Sequence, residues 1–259
     1  MCDNFYDEIE KALKDEETYN NERYDADDIM LKNYVDVEKI KPHNLEYIYF
    51  ISTLINSCYS TRMGADRLLA TAKLLEEEAP EINNILNKEA LDNKDLKFID
   101  GICNQKIEGV LGGVKFRSYS FITKFLKIHD KYGKTRKIFP IYDGNVIAVI
   151  KEYKLNEIEK LETIITNSRV DNKQKKNANN ILEELREIFS ANANKKVIDF
   201  KNYVLFYKIM SILTIVLGTN FHDLDQAFWK LGKDILDEQR KEKKRKEKKR
   251  KERKERIKL

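Results

Sequence analysis

RSYSFITKFLKIHDKYGKTRKIFPIYDGNV, residues 117–146, carries two different local codes side by side. Phe121, Ile122, Phe125, Leu126 and Ile128 recur at spacings of three and four, which predicts an amphipathic helix over 119–130. Lys124 lies in the middle of that otherwise apolar helix. DKYGKTRK (130–137) then reads as a basic loop. Pro140 pushes Phe139 out of the α region, so IFPIYD is extended. Asp143 stands where a side-chain oxygen would cap a helix running from Gly144 to Tyr153.

The same helical spacing dominates in both directions. Phe5, Ile9 and Leu13 form a weak stripe over 5–18, and residues 19–43 are polar and irregular in part. Leu45, Tyr47, Ile48, Phe50, Ile51, Leu54 and Ile55 predict a buried helix over 44–60. A second helix carries Met63, Leu68, Leu69, Ala72 and Leu75 and stops near Pro80. Residues 82–107 read as two short helices, and GVLGGV (109–114) as a loop, since no Gly-Lys-Ser/Thr follows it. Residues 168–180 read as a polar loop or hinge, followed by helices at about 178–191, 200–217 and 223–238. VLFYKIMSILTIVL (204–217) is a core helix, being too short to span a bilayer.

Composition agrees with an all-α chain. With 9 Gly and 3 Pro in 259 residues, turns are too few for a sandwich or barrel. No apolar run suggests a membrane span, and the acidic N-terminus lacks the apolar region of a secretory signal. Cys2, Cys58 and Cys103 are scattered and odd in number, giving no disulfide framework and no cluster of metal ligands. A reducing, cytoplasmic setting is expected. His43, His129 and His222 have no partner at helical spacing, and neither a G-x-S-x-G nor a phosphate-loop motif occurs. No metal or cofactor is expected.

Charge divides the chain further. Residues 1–30 hold 11 acidic and 3 basic side chains, whereas 239–259 hold 14 basic and 4 acidic. Three segments follow: an acidic segment 1–43, a helical domain 44–238 and a low-complexity basic tail 239–259. The tail has no apolar residue before Ile257 and is either a helix running into solvent or a disordered end. It is a candidate arm for nucleic-acid phosphates, DNA or RNA, through counterion release; a solvated end without specific function is the alternative.

Four elements, YSTR (59–62), SFITK (120–124), FPIYD (139–143) and DQAFWKLGK (225–233), occur in the order found in a group of small bacterial glycosylase-like proteins. With Thr123-Lys124 followed nineteen residues later by Asp143 at a helix start, residues 44–236 resemble the helix–hairpin–helix DNA glycosylase superfamily, nearest its lysine-containing 8-oxoguanine branch. The resemblance implies a two-lobed helical fold with the site between the lobes. It implies duplex DNA with a modified or damaged base as partner. Lys124 would be the nucleophile at the sugar C1′, with a Schiff-base lyase step, and Asp143 would stabilise the developing positive sugar. Asn56, Ser57 and Tyr59 would fall in the turn that wedges into DNA, and Arg62 would face the opposite strand. Ser120 and Thr123 would lie at the hairpin, while His129, Tyr142, Phe228 and Trp229 would line the base pocket.

The residues also carry readings of their own. Lys131, Lys134, Arg136 and Lys137 place four cations in seven residues beside Lys124, which suits phosphate binding. The hairpin glycines of the superfamily are replaced here by Ser120 and Ile122, which removes the close approach of backbone amides to a phosphate. A catalytically inactive nucleic-acid-binding module of the same fold therefore stands as one alternative. A helical regulatory protein with a polyanion-binding tail is the other.

Overall fold

The computed structural model describes residues 2–14, 31–59, 63–112, 115–133, 139–190 and 202–258; for 2–4, 131–133 and 251–258 it describes the backbone alone. The helices are α1 (Cys2–Lys14), α2 (Leu45–Cys58), α3 (Ala65–Glu77), α4 (Ala79–Leu86), α5 (Asn93–Asn104), α6 (Tyr119–Gly133), α7 (Gly144–Glu152), α8 (Ile158–Asn167), α9 (Asn172–Ser190), α10 (Tyr203–Leu217) and α11 (Phe221–Lys258). The chain is all-helical: among the described residues the only β pairing is a single antiparallel bridge between Ile107 and Phe116.

One continuous apolar core joins these elements, from Phe5 in α1 to Phe228 in α11. α2 packs on α3, α9 on α10 and α8, and α5 on both α10 and α6. The described parts of the acidic N-terminal segment contribute to this core. Phe5, Ile9, Leu31 and Ile40 are fully buried, so the compositional boundary at residue 43 is not a packing boundary. The acidic face of α1 stays outside while its apolar stripe lies against α11 and Tyr153.

Three local features depart from the sequence reading. α6 is buried on every face from Phe121 to Asp130, its polar side chains included, where a half-exposed helix is predicted. The polar face of α6 meets other polar groups of the protein instead of water. The hinge expected at 168–180 is helical from Asn172, because Asp171 and Gln174 form a reciprocal cap: Gln174 N–H donates to Asp171 Oδ1 at 2.8 Å, and Asp171 N–H to Gln174 Oε1 at 3.2 Å. α8 occupies a stretch to which the periodicity assigns no element.

α11 is the longest element, 38 residues. Its first third packs against α7, α10 and α1. Gly232 is required at that contact, because a Cβ there would lie 2.0 Å from the carbonyl oxygen of Asn145. From Glu238 onward α11 is exposed on all sides through Arg250, and its backbone remains helical to Lys258. The basic tail is thus a helix. No single helix among the described residues is long and apolar enough to cross a membrane; α10 and α11 pass that test only together, bent by 101°, with most of α10 inside the core.

Candidate functional site

The turn from Phe139 to Asp143 has no secondary-structure partner, and its polar backbone must be satisfied by side chains. Tyr203 O–H donates to the carbonyl of Pro140 at 3.3 Å. Ile141 N–H donates to Asp225 Oδ2 at 2.9 Å, and Tyr142 N–H to Thr123 Oγ1 at 3.1 Å. Asp143 Oδ1 accepts from Asn145 N–H (2.9 Å) and Val146 N–H (3.1 Å), forming the N-cap of α7 that the sequence predicts. Three separate helices, α6, α10 and α11, therefore fix the position of Asp143.

That position brings Asp143 to Lys124. The Asp143 Oδ2 to Lys124 Nζ distance is 3.8 Å, and each side chain is 10% exposed. Burial lowers the pKa of Lys124 from the usual lysine value, while the Asp143 carboxylate opposes that shift. One turn further along α6, Lys127 makes a short ion pair with Asp225. Burial pushes the Asp225 carboxyl up to about 6, against the pull of Lys127 and the Ile141 amide. Two buried lysine–aspartate pairs thus lie side by side, the outer one next to a cleft.

The cleft has a volume of about 400 Å³ and is walled by Met63, Arg117, Ser118, Tyr119, Ser120, Phe121, Tyr142, Asp143, Gly144 and Ile147. Its aromatic side is fixed. Tyr119 O–H donates to Asp100 Oδ1 at 2.9 Å, and the Tyr119 and Tyr142 rings lie 4.8 Å apart. Tyr142 in turn meets Phe206 edge-on at 5.1 Å. Ser118 is buried against Thr71, with 3.2 Å between hydroxyl oxygens. A larger cavity of about 570 Å³ lies between α1 and the ends of α8 and α10; it shares no lining residue with the cleft.

Of the residues singled out by sequence, Asp143, Tyr142 and Ser120 line this cleft, and Lys124 lies outside its wall, 3.8 Å from Asp143. Others have different duties. Thr123 is fully buried, donating to the Tyr119 carbonyl at 3.0 Å while accepting from Tyr142, so it is an internal brace and not a DNA contact. His129 is a core residue: its Nδ1–H donates to the Phe125 carbonyl at 2.8 Å, and burial lowers its pKa to about 4. Phe228 is likewise fully buried, and neither it nor His129 lines the cleft. Trp229 is 37% exposed on α11 beneath the Lys233 ammonium, 5.5 Å from its ring centre, and is absent from the cleft wall.

Asn56 is committed to closing the turn after α2. Its side chain donates to the Met63 carbonyl and accepts from the Met63 N–H, both at 3.0 Å, and it is half-buried. Ser57 is exposed and Tyr59 half-buried beside it. Arg62, Lys134, Arg136 and Lys137 lie outside the described residues, as does the side chain of Lys131. Sequence reasoning missed Asp225, Lys127, Tyr203 and Asp100. Asp225 opens the DQAFWKLGK element, and that was its only visible signal. Among the described residues no group of three or more His, Cys, Asp or Glu side chains is placed to hold a metal ion.

Comparison of the chain with protein-family models, with curated proteins and with solved structures finds no match.

Proposed function

We propose that the chain is a DNA glycosylase-like protein, of helix–hairpin–helix type, that flips a modified or damaged base and cleaves its N-glycosidic bond. The supporting observation is the buried Lys124–Asp143 pair at 3.8 Å beside a cleft walled by Tyr119 and Tyr142. A flipped base needs flat apolar faces to replace its lost stacking, and these rings offer them. Lysine attacks carbon only as the free amine, and burial of Lys124 favours that form. Attack at C1′ expels the base with the bonding electron pair, and opening of the sugar ring then gives the protein-bound iminium. Asp143 is held by two amide hydrogen bonds 3.8 Å from the amine, where it can receive the lysine proton or face the developing positive sugar. The exposed basic surface of α11 supplies sequence-independent attraction for phosphates.

One observation favours the alternative of a binding module without chemistry. Lys124 is not in the cleft wall, so substrate reaches its amine only by parting the pair with Asp143. Borohydride trapping separates the two. The full chain is mixed with duplexes carrying an abasic site, 8-oxoguanine or modified cytosine, and reduced. The glycosylase reading expects a covalent adduct by mass that Lys124→Gln loses. DNA binding with neither adduct nor released base would leave the binding module.

A further inference from the structure

The cavity of about 570 Å³ between α1 and the ends of α8 and α10 has the size of a small-molecule site, about 300–1,000 Å³. Charged groups of both signs line it. Asp7 and Glu10 stand one turn apart on α1, and Arg169 follows the end of α8. Neither Asp7 nor Arg169 has an ion-pair partner among the described residues. Glu10 meets Lys14 of its own helix at 3.7 Å, but Lys14 is 79% exposed, so the pair holds Glu10 weakly. Two helix C-termini add further acceptors. Near the end of α8 the carbonyls of Ile164, Ile165 and Thr166 are taken by Tyr6 O–H, Ser168 O–H and the Lys175 ammonium. Near the end of α10 those of Thr214 and Ile215 are taken by the N–H groups of Thr219 and Gly218. The carbonyls of Asn167, Val216 and Leu217 have no donor among the described residues, and all three residues line the cavity. Opposite charges thus share one cavity without meeting, beside two helix ends that favour a cation.

We propose that this cavity binds a free basic α-amino acid: lysine, ornithine or arginine. Each part of such a ligand has a counterpart in the wall. Its carboxylate suits the Arg169 guanidinium, whose planar fork matches two oxygens. Its two cationic groups suit Asp7, Glu10 and the carbonyls that end α8 and α10. Its methylene stem suits the apolar side chains of Val170, Val216 and Leu217. Charge decides the class. Two carboxylates and two negative helix ends face one guanidinium, so a ligand with one net positive charge is balanced. A neutral or acidic amino acid leaves a carboxylate of the wall without a cation, and a diamine leaves Arg169 without an anion. α1 supplies one whole wall, so a bound ligand also ties the first helix to α8 and α10 and stabilises the fold. The cavity shares no lining residue with the cleft, so the fate of either site leaves the other untouched.

The test is titration calorimetry and thermal melting of the full chain with L-lysine, L-arginine, L-glutamate, the tripeptide Gly-Gly-Lys and cadaverine, which is lysine without its carboxylate. Lysine or arginine is expected to give saturable heat and a raised melting temperature, and glutamate neither. Asp7→Asn is expected to weaken lysine and cadaverine alike, on the order of ten-fold. Arg169→Gln is expected to weaken lysine on the order of ten-fold and leave cadaverine unchanged. Both residues are exposed, so both variants should melt like the wild type without ligand. Absence of saturable heat with lysine and with arginine overturns the site. Lysine binding that neither variant alters places the ligand elsewhere and overturns it too. Cadaverine binding as tightly as lysine, unmoved by Arg169→Gln, would make the cavity a diamine site. Gly-Gly-Lys binding in preference to lysine would make it a site for a peptide end. Either result overturns the free amino acid.

Discussion

Lys124 and Lys127 are one turn apart on α6, yet their partners give them different consequences. For Lys124 the depressed pKa means that the amine fraction grows as pH rises through that lowered value. Single-turnover base release is therefore expected to climb with pH and level off below the ordinary lysine range. Asp143 raises the pKa of Lys124, so Asp143→Asn moves the climb to lower pH while slowing the plateau. Lys127 is a stability matter. Asp225→Leu leaves it buried without its carboxylate and is expected to cost about 3–5 kcal/mol in urea unfolding, most of which Lys127→Met restores in the double variant. Asp225 also sets a pH dependence. Its folded pKa of about 6 lies above the unfolded value, so between about pH 4 and 6 the folded state holds a proton that the unfolded state has released. Stability falls as pH rises through that window and is flat above it; Asp225→Asn removes the slope. Motif spacing in the sequence makes Lys124 and Asp143 legible. The second pair is not legible there, because Lys127 has the sequence look of a solvated lysine and its burial comes from an element 98 positions away.

At the scale of elements, the helices with strong three-and-four spacing were readable, and so was the Asp143 cap. The start of α9 was not, since its polar residues outweigh the Asp171–Gln174 box that opens it. The all-round burial of α6 was hidden for a related reason. Polar residues on one face predict water there, and nothing local says that α11 will supply the counter-charge. The α7–α11 contact depends on a single missing side chain. Gly232→Ala forces a Cβ against the Asn145 carbonyl and is expected to cost about 1–3 kcal/mol, seen as a lowered melting temperature. Asn145 belongs to the cap of α7, so the same variant should also disturb the Lys124–Asp143 spacing, readable as a shift of the Lys124 ammonium resonance.

For the whole molecule, one core holds both an acidic first helix and a basic last one. Composition suggests three segments, but among the described residues the outer part of α11 is what stands apart from that core. Removing residues 239–259 is therefore expected to leave the unfolding free energy within about 0.5 kcal/mol of the full chain. The salt dependence of DNA binding should fall by about 0.9 in slope for each phosphate that α11 no longer neutralises. Residual binding through the cleft would distinguish this from a protein whose only polyanion site is its tail.

α11 leaves the core as an uninterrupted helix, and a helix converts residue number into distance. Twenty residues at 1.5 Å each make about 30 Å, and duplex DNA rises about 3.4 Å per base pair along a strand. On the proposed reading the far end of α11 works as a ruler anchored beside Asp143, marking off about nine base pairs to one side of the flipped base. Protection of the duplex from cleavage reagents should then be lopsided about the lesion, and shortening α11 by one turn should draw in that one boundary alone.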